Sequence, residues 1–107
     1  MFAQRNRFSF KKGAPRKVFS TPLFILRYDI KEENRLECAV VVGKKVDKRA
    51  VVRNKVKRQL VKQIKEMVEL VSPFKLVIIA KKQILDASTE ERYEELLKAF
   101  QKTNILQ

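Results

Sequence analysis

The residues best able to do chemistry in this sequence are cationic, and they crowd into residues 44–58. This segment reads K-K-V-D-K-R-A-V-V-R-N-K-V-K-R, with Asp47 as its only acid and with neither glycine nor proline. Ammonium and guanidinium groups donate hydrogen bonds to phosphate and carboxylate oxygens, so the chemistry on offer is anion binding. Because no residue in the segment forces a loop, it predicts the cationic start of a helix. Its basic residues are Lys44, Lys45, Lys48, Arg49, Arg53, Lys55, Lys57 and Arg58.

Hydrophobic periodicity extends this predicted helix to residue 70 or 71, where Ser72 and Pro73 end it. At about 100° per residue, the apolar and basic side chains fall on opposite faces. The charged face of an average helix is only solvated, but such a face usually carries both acidic and basic side chains. In this helix the acidic residues are only Glu66 and Glu69, near its end, so the basic face is predicted to meet a polyanion. The apolar stripe is Val52, Val56, Leu60, Ile64, Met67 and Val71, and the opposite face holds Lys55, Arg58, Lys62 and Lys65, with Asn54 on the basic side.

Length and charge restrict the class of partner. The 107 residues suit one domain with a single modest core. A net charge of +13 and a pI of about 10.2 point to nucleic acid or an anionic membrane surface. No apolar run is long enough to span a membrane and the N-terminus lacks a signal-peptide pattern, so no membrane partner and a reducing, cytoplasmic location are expected. Cys38, in an apolar run, is expected to be a small buried residue.

Candidate catalytic groups are scarce. The chain has no histidine, the commonest general acid or base. Its two glycines, Gly13 and Gly43, cannot form a glycine-rich phosphate loop. A carboxylate metal site would need a fold that brought Asp29, Asp47 and Asp86 together, which their spacing does not predict. The sequence therefore predicts binding in place of catalysis by this chain, with no cofactor held by the protein alone.

The remaining elements surround the basic helix. Residues 17–21 and 23–30 predict two strands, with Phe24, Leu26 and Tyr28 on one face and Leu23, Ile25 and Arg27 on the other. Residues 31–36 predict a polar turn, and residues 37–42 and 74–80 predict strands buried on both faces. Ser88 and Glu91 form a capping-box pattern before a second amphipathic helix. Its apolar residues are Tyr93, Leu96, Leu97 and Phe100.

These elements predict an α/β two-layer sandwich in the order β-β-β-α-β-α, with the strands before and after the first helix running parallel. A short helix could precede them in residues 1–16, an N-terminal arm with basic residues, no acid and three phenylalanines. Basic residues interleaved with aromatics suit single-stranded nucleic acid, because bases stack on aromatic rings. The equally simple interpretation is a frayed arm whose phenylalanines pack on the core. The arm contains Phe2, Phe8 and Phe10 among Arg5, Arg7, Lys11, Lys12 and Arg16.

The central segment resembles the signature of the bacterial ribonuclease P protein subunit. In that family a strand ending in two lysines leads into a helix carrying Ala-Val, a variable residue, Arg-Asn-Arg, a variable residue and Lys-Arg. The resemblance continues through Ile78, Ile79, Ala80 and Lys81 and covers the chain from Gly13 onward. The residues that carry it are Val42, Gly43, Lys44, Lys45, Val46, Ala50, Val51, Val52, Arg53, Asn54, Lys55, Val56, Lys57 and Arg58.

The resemblance implies a fold and a function. It implies a single RNA-binding domain over residues 1–107, in the order α-β-β-β-α-β-α, with a mixed sheet and an unusual left-handed β-α-β crossover. It also implies the accessory subunit of an endonuclease that removes the 5′ leader from precursor tRNA. The partners would be the catalytic RNA subunit and the precursor tRNA, with no obligatory protein partner. Catalysis would belong to that RNA and its bound Mg²⁺.

By the same resemblance, residues of this chain acquire expected roles. The cleft face of the sheet, with Phe10, Ile25 and Arg27, would hold the single-stranded leader. Lys55 stands where the family has the second arginine of Arg-Asn-Arg, and Lys62 where an arginine is usual. The N-terminal helix is shorter than the family's by about two turns. The expected RNA-binding residues are Lys44, Lys45, Lys48, Arg49, Arg53, Asn54, Lys55, Lys57, Arg58 and Lys62.

Two other classes of binding protein share these features. A ribosomal-protein-like or chaperone-like RNA binder would have the same charge but no effect on tRNA 5′ maturation. A small DNA-binding protein could place the basic helix in a major groove and would prefer duplex DNA to structured RNA. An independent nuclease would depend on its own carboxylates.

Overall fold

Four strands, two α-helices and one 3₁₀ helix make up the part of the chain that the structure describes. The structure is a computed structural model, and it describes residues 16–30, 35–69 and 73–106. The predicted arm of residues 1–16, apart from Arg16, lies outside these residues, as do most of the predicted turn and Val71. In chain order the elements are β1 (Lys17–Ser20), β2 (Phe24–Ile30), β3 (Glu37–Val41), α1 (Ala50–Met67), β4 (Phe74–Ala80), a 3₁₀ helix (Lys82–Asp86) and α2 (Thr89–Lys102).

Strand β4 lies between β2 and β3 in a four-stranded sheet of order β1-β2-β4-β3. It pairs antiparallel with β2, where Ile25 lies opposite Ile79, and parallel with β3, where Val40 lies opposite Ile78. Strand β1 pairs antiparallel with β2 at the edge. The mixed sheet is thus confirmed, as is the parallel pairing of β3 and β4, the strands before and after α1 in the chain. The left-handed crossover stays a prediction.

One hydrophobic core lies between the sheet and the two helices. Alternate residues of β2, β3 and β4 point into it, and Phe24, Leu26 and Ile78 are fully buried. The predicted burial of the α1 stripe is confirmed in its central turns, and α2 adds its own apolar residues. The helical residues of this core are Val56, Leu60, Ile64, Leu96, Ala99 and Phe100.

Strand β3 is not buried on both faces as its apolar run predicted. It forms an edge of the sheet, and Val41, on the face away from the helices, is 41% exposed. The long apolar run reflects contacts with β4 and α1 on one face only, with Cys38 and Val40 buried there. Burial raises the pKa of the Cys38 thiol to about 12, in agreement with its predicted structural role.

Helix α1 begins later than predicted, at Ala50. Residues 44–49 form a turn and an extended segment instead. The Arg49 backbone N–H donates to Asp47 Oδ1 at 2.8 Å, a local bond that competes with helix formation. The four cations within residues 44–49 would also oppose the positive end of the dipole of a helix that began there. The guanidinium of Arg49 closes two further bonds to the Asp47 carboxylate, at 3.1 and 3.0 Å.

Helix α1 also ends earlier than predicted, at Met67. Val68 is extended and buried in the core, while its N–H still donates to the Ile64 carbonyl.

Two other segments contribute a buried apolar side chain although most of their residues are polar. Leu36, predicted in a turn, is fully buried, and the 3₁₀ helix, which the sequence did not predict, buries Ile84 completely.

The start of α2 follows the capping-box pattern. The Glu91 N–H donates to Ser88 Oγ at 3.1 Å, and the Ser88 N–H donates to Glu91 Oε1 at 2.9 Å. These bonds lower the pKa of Glu91. Leu96 and Phe100 are buried as predicted, but Tyr93 is 37% exposed and lies outside the core.

Replacement of Leu60 by alanine is expected to destabilise the protein by about 2–5 kcal/mol, because it leaves a cavity where α1 meets the core. The free energy of unfolding measured in urea checks this. Val51→Ala, on the same helix at a position 78% exposed, is the control and should change stability by less than about 0.5 kcal/mol. Equal effects of the two variants would contradict the packing described above.

The Asp47 carboxyl is expected to titrate near pH 2, and carboxyl-carbon NMR shifts measure this. Hydrogen bonds from the Arg49 side chain and backbone lower its pKa from 3.8 to about 2. Because the folded pKa is the lower one, the pairing stabilises the loop above about pH 4 and is lost as the pH falls toward 2.

In Arg49→Ala the Asp47 pKa should move part of the way back toward 3.8, since the N–H of residue 49 remains a donor. The pKa of Glu91, held low by Ser88, should stay unchanged and serves as the internal control. An Asp47 titration that is the same in both proteins would exclude the pairing.

Candidate nucleic-acid interface

The loop between β3 and α1 is anchored at its centre. Val46 is buried in the core, and its N–H donates to the Gly43 carbonyl at 3.0 Å. Lys44, Lys45 and Lys48, on either side of this anchor, are exposed. The anchor therefore fixes the backbone while three ammonium groups extend into solvent.

Arg49 and Arg53 join this loop to the helix. Arg49 is paired with Asp47 but its side chain remains 75% exposed, so the guanidinium is oriented without being removed from solvent. The half-buried Arg53 places Nη1 at 3.5 Å from the Lys48 carbonyl, a long hydrogen bond. Both arginines are thus held near the start of α1.

Helix α1 continues the same cationic region. Asn54, Lys55, Lys57, Arg58 and Lys62 are exposed, on turns whose opposite side is buried. All ten of the predicted RNA-binding residues are among those the structure describes, and they lie along one loop and the helix that follows it. This set is called the basic surface: Lys44, Lys45, Lys48, Arg49, Arg53, Asn54, Lys55, Lys57, Arg58 and Lys62.

One side of the basic surface borders a groove between α1 and α2. The groove has a volume of about 690 Å³. Both helices contribute charged side chains to its walls, and Tyr93 contributes an aromatic ring. The lining residues are Lys55, Arg58, Gln59, Lys62, Gln63, Glu66, Thr89, Glu90, Tyr93 and Glu94.

Hydrogen bonds from two glutamines attach the start of α2 to α1. Gln59 Nε2 donates to Thr89 Oγ1 and Gln63 Nε2 donates to the Thr89 carbonyl, each at 2.9 Å. Arg92 donates to the Gln59 side-chain oxygen and, through Nε and Nη2, to the Ile84 carbonyl at 3.0 and 2.7 Å. Partial burial lowers the pKa of Arg92. These contacts connect α1, the 3₁₀ helix and α2.

Sequence reasoning predicted Lys55, Arg58 and Lys62 as site residues but missed Gln59, Gln63 and Thr89 in the same groove. Gln59 and Gln63 have the i,i+4 spacing of one helix face, and Gln63, though polar, is buried beside the apolar stripe. Tyr93 was predicted only as one of the apolar residues of the second amphipathic helix. The signal in the sequence was a pair of glutamines next to an apolar stripe. It does not identify their partner, because Thr89 is 30 residues from Gln59 and 26 from Gln63.

The sheet face away from the helices contains the other predicted site. Ile25 and Arg27 lie on it, half-buried, with Arg27 opposite Val18 on β1 and Val77 on β4. In the next row Lys75, 7% exposed, lies between Asp29 on β2 and Glu37 on β3. Opposite charges at neighbouring strand positions stabilise a sheet. Phe10, predicted to complete this cleft, lies outside the described residues.

Two kinds of feature are absent from the described ranges. No cluster of three or more histidine, cysteine, aspartate or glutamate side chains there could hold a metal ion. No helix in those ranges has the length and apolar character needed to cross a membrane.

Comparison with known proteins identifies relatives over nearly the whole chain. Residues 2–104 match the Ribonuclease P family. A ribonuclease P protein component from Bacillus velezensis is 35% identical over 96 residues, covering 90% of this chain and 80% of the relative. One from Mesoplasma florum is 28% identical over 97 residues, covering 88% and 87%.

The fold agrees with a solved structure. The Staphylococcus aureus RNase P protein superimposes with a TM-score of 0.79 at 19% identity, over 95% of this chain and 98% of that one. At this identity the superposition supports the mixed-sheet α+β fold alone. The family is shown by the match to residues 2–104 and by the Bacillus relative: this chain belongs to the ribonuclease P protein family.

Proposed function

We propose that this chain binds the catalytic RNA of ribonuclease P and the 5′ leader of precursor tRNA, and so assists endonucleolytic 5′ maturation. The observation that carries the proposal is the basic surface, in which eight lysines and arginines from the loop and α1 are exposed along one side of the domain. Arg53, half-buried, and Asn54 complete it. A face of this kind, fixed from behind by buried Val46, Val56 and Leu60, suits a rigid polyanion.

The physical role of the protein is electrostatic. Precursor tRNA and the catalytic RNA are both polyanions, so their association is opposed by charge. A domain of net charge +13 placed between them lowers this repulsion and releases counterions. Phosphate contacts position the partners without reading sequence, so nucleotide selectivity from the basic surface should be weak.

The sheet face away from the helices is the proposed site for the leader. Ile25 and Arg27 supply an apolar and a cationic side chain at adjacent positions of β2 on that face. Phe10 is assigned to the same site through the family resemblance. A single strand lying here would be held by charge at Arg27 and by apolar contact with its bases.

Catalysis is assigned to the RNA subunit with Mg²⁺. The absence of histidine from the sequence supports this division of labour, because this chain lacks the commonest protein acid-base group. The protein itself would hold no cofactor and would act in the cytoplasm without an obligatory protein partner.

The protein is expected to stimulate leader removal by the catalytic RNA from the same source at low Mg²⁺, and to cleave nothing alone. The measurement is single-turnover cleavage of a 5′-labelled precursor tRNA with and without the protein. Tight RNA binding without stimulation would favour a general RNA-binding protein. Preference for duplex DNA would favour a DNA-binding protein.

Arg53→Ala combined with Arg58→Ala is expected to weaken binding to the catalytic RNA at least tenfold without unfolding the domain, because both guanidiniums belong to the basic surface. If the wild-type protein neutralises about five phosphates, the plot of log affinity against log salt has a slope of roughly −4 to −5, and each lost contact removes about one unit. Filter binding over a salt series measures both quantities.

The matched control removes two charges from exposed positions of α2, Lys98→Ala with Lys102→Ala. It has the same net charge as the test variant, so it should keep most of the affinity and the wild-type slope. If the two double variants weaken binding equally, net charge alone explains the affinity and the assignment of α1 is wrong.

A further inference from the structure

The groove between α1 and α2 has walls of opposite charge. The α1 side carries three cations and the Glu66 carboxylate, and the α2 side carries two carboxylates and the Tyr93 ring. None of these charged groups forms an ion pair with another residue of the described ranges. The cations are Lys55, Arg58 and Lys62, and the α2 carboxylates are Glu90 and Glu94.

Neutral hydrogen bonds hold the groove open. Gln59 and Gln63, which line the groove, donate to Thr89, the first residue of α2. These bonds set the separation of the helices without using the charged side chains. A volume of about 690 Å³ lies within the range of small-ligand sites, so the groove can admit one planar ring with its substituents.

The chemistry of the walls selects the ligand. Lysine and arginine on α1 suit a phosphate. Tyr93, 37% exposed, offers a ring on which an unpaired base can stack. Ionised Glu90 and Glu94 only accept hydrogen bonds, so the edge of the base that meets them must present donors. Guanine presents N1–H and N2–H₂ side by side, which match the two oxygens of one carboxylate, whereas the other bases place an acceptor next to each donor.

We propose that this groove binds one unpaired guanine nucleotide of the partner RNA, with its phosphate on the α1 cations, its base on Tyr93 and its Watson–Crick edge on a glutamate of α2. The proposal rests on the proposed function, since the nucleotide belongs to the RNA that the basic surface binds. It adds base selectivity to a protein whose other contacts are to phosphates.

Neutralising the α2 carboxylates tests the proposal, because electrostatics and loss of the guanine contact change the affinity for RNA in opposite directions. Glu90→Gln with Glu94→Gln removes two negative charges, which by electrostatics alone should tighten binding to a polyanion. Loss of the guanine contact should instead weaken binding to the catalytic RNA about tenfold, the order of one lost bidentate base contact. Glu69→Gln with Glu95→Gln removes the same charge outside the groove and is the matched control, expected to bind at least as tightly as the wild type.

The aromatic contact has its own pair of variants. Tyr93→Ala should weaken binding about tenfold through loss of stacking, whereas Tyr93→Phe keeps the ring and should bind like the wild type. Thermal unfolding of each variant, run in parallel, identifies any loss of affinity that comes from unfolding.

Inosine identifies the base. Catalytic RNA containing inosine at scattered guanosine positions lacks the N2 amino group there, and the positions depleted from the bound fraction can be mapped by sequencing. The wild-type protein should show one sensitive unpaired position that disappears with the Glu90→Gln, Glu94→Gln variant. Tighter binding by that variant, or the same sensitive positions in both proteins, would overturn the proposal. Failure of the proposed function is distinct, because it would be seen in the wild-type protein itself, which would then not stimulate cleavage by the catalytic RNA.

Discussion

The contact between α1 and the sheet is the interaction on which the rest of the molecule depends. Val56, Leu60 and Ile64 are buried against the inward residues of β3 and β4, and this burial fixes both the position and the rotation of the helix. Because a helix places residues on all sides, fixing the buried side also fixes where its charges point. The exposed cations of α1 are thus presented in a set direction by hydrophobic packing, not by partners of their own.

Like charges on one surface repel each other, and the loop before α1 shows how the fold accommodates them. Asp47, the only acid among these residues, binds Arg49 through two side-chain bonds and one backbone bond. Buried Val46 holds the other part of the loop in the core. The lysines on either side of Val46, namely Lys44, Lys45 and Lys48, remain exposed, so the surface keeps a high density of positive charge. A bound polyanion would relieve the remaining repulsion.

The second helix is attached by a different kind of interaction. Gln59, Gln63 and Arg92 hold the start of α2 and the 3₁₀ helix through bonds that involve backbone carbonyls and one hydroxyl. The two glutamine bonds join neutral groups and are only weakly sensitive to salt, unlike exposed ion pairs. The charged residues beside them are consequently available for a ligand. The side chains that hold the two helices together are therefore different from the charged side chains that would bind a ligand in the groove.

The sequence by itself determined the family, the order of strands and helices, the buried stripe of α1 and the capping box at Ser88, because each of these depends on residues close together in the chain or on a local motif. It placed the start of α1 at the lysines, since periodicity cannot detect the bond from Arg49 to Asp47 that delays the helix to Ala50. Only the tertiary structure decided that β3 is an edge strand and that Tyr93 faces a groove. Both depend on which distant elements become neighbours, a property that local spacing does not encode.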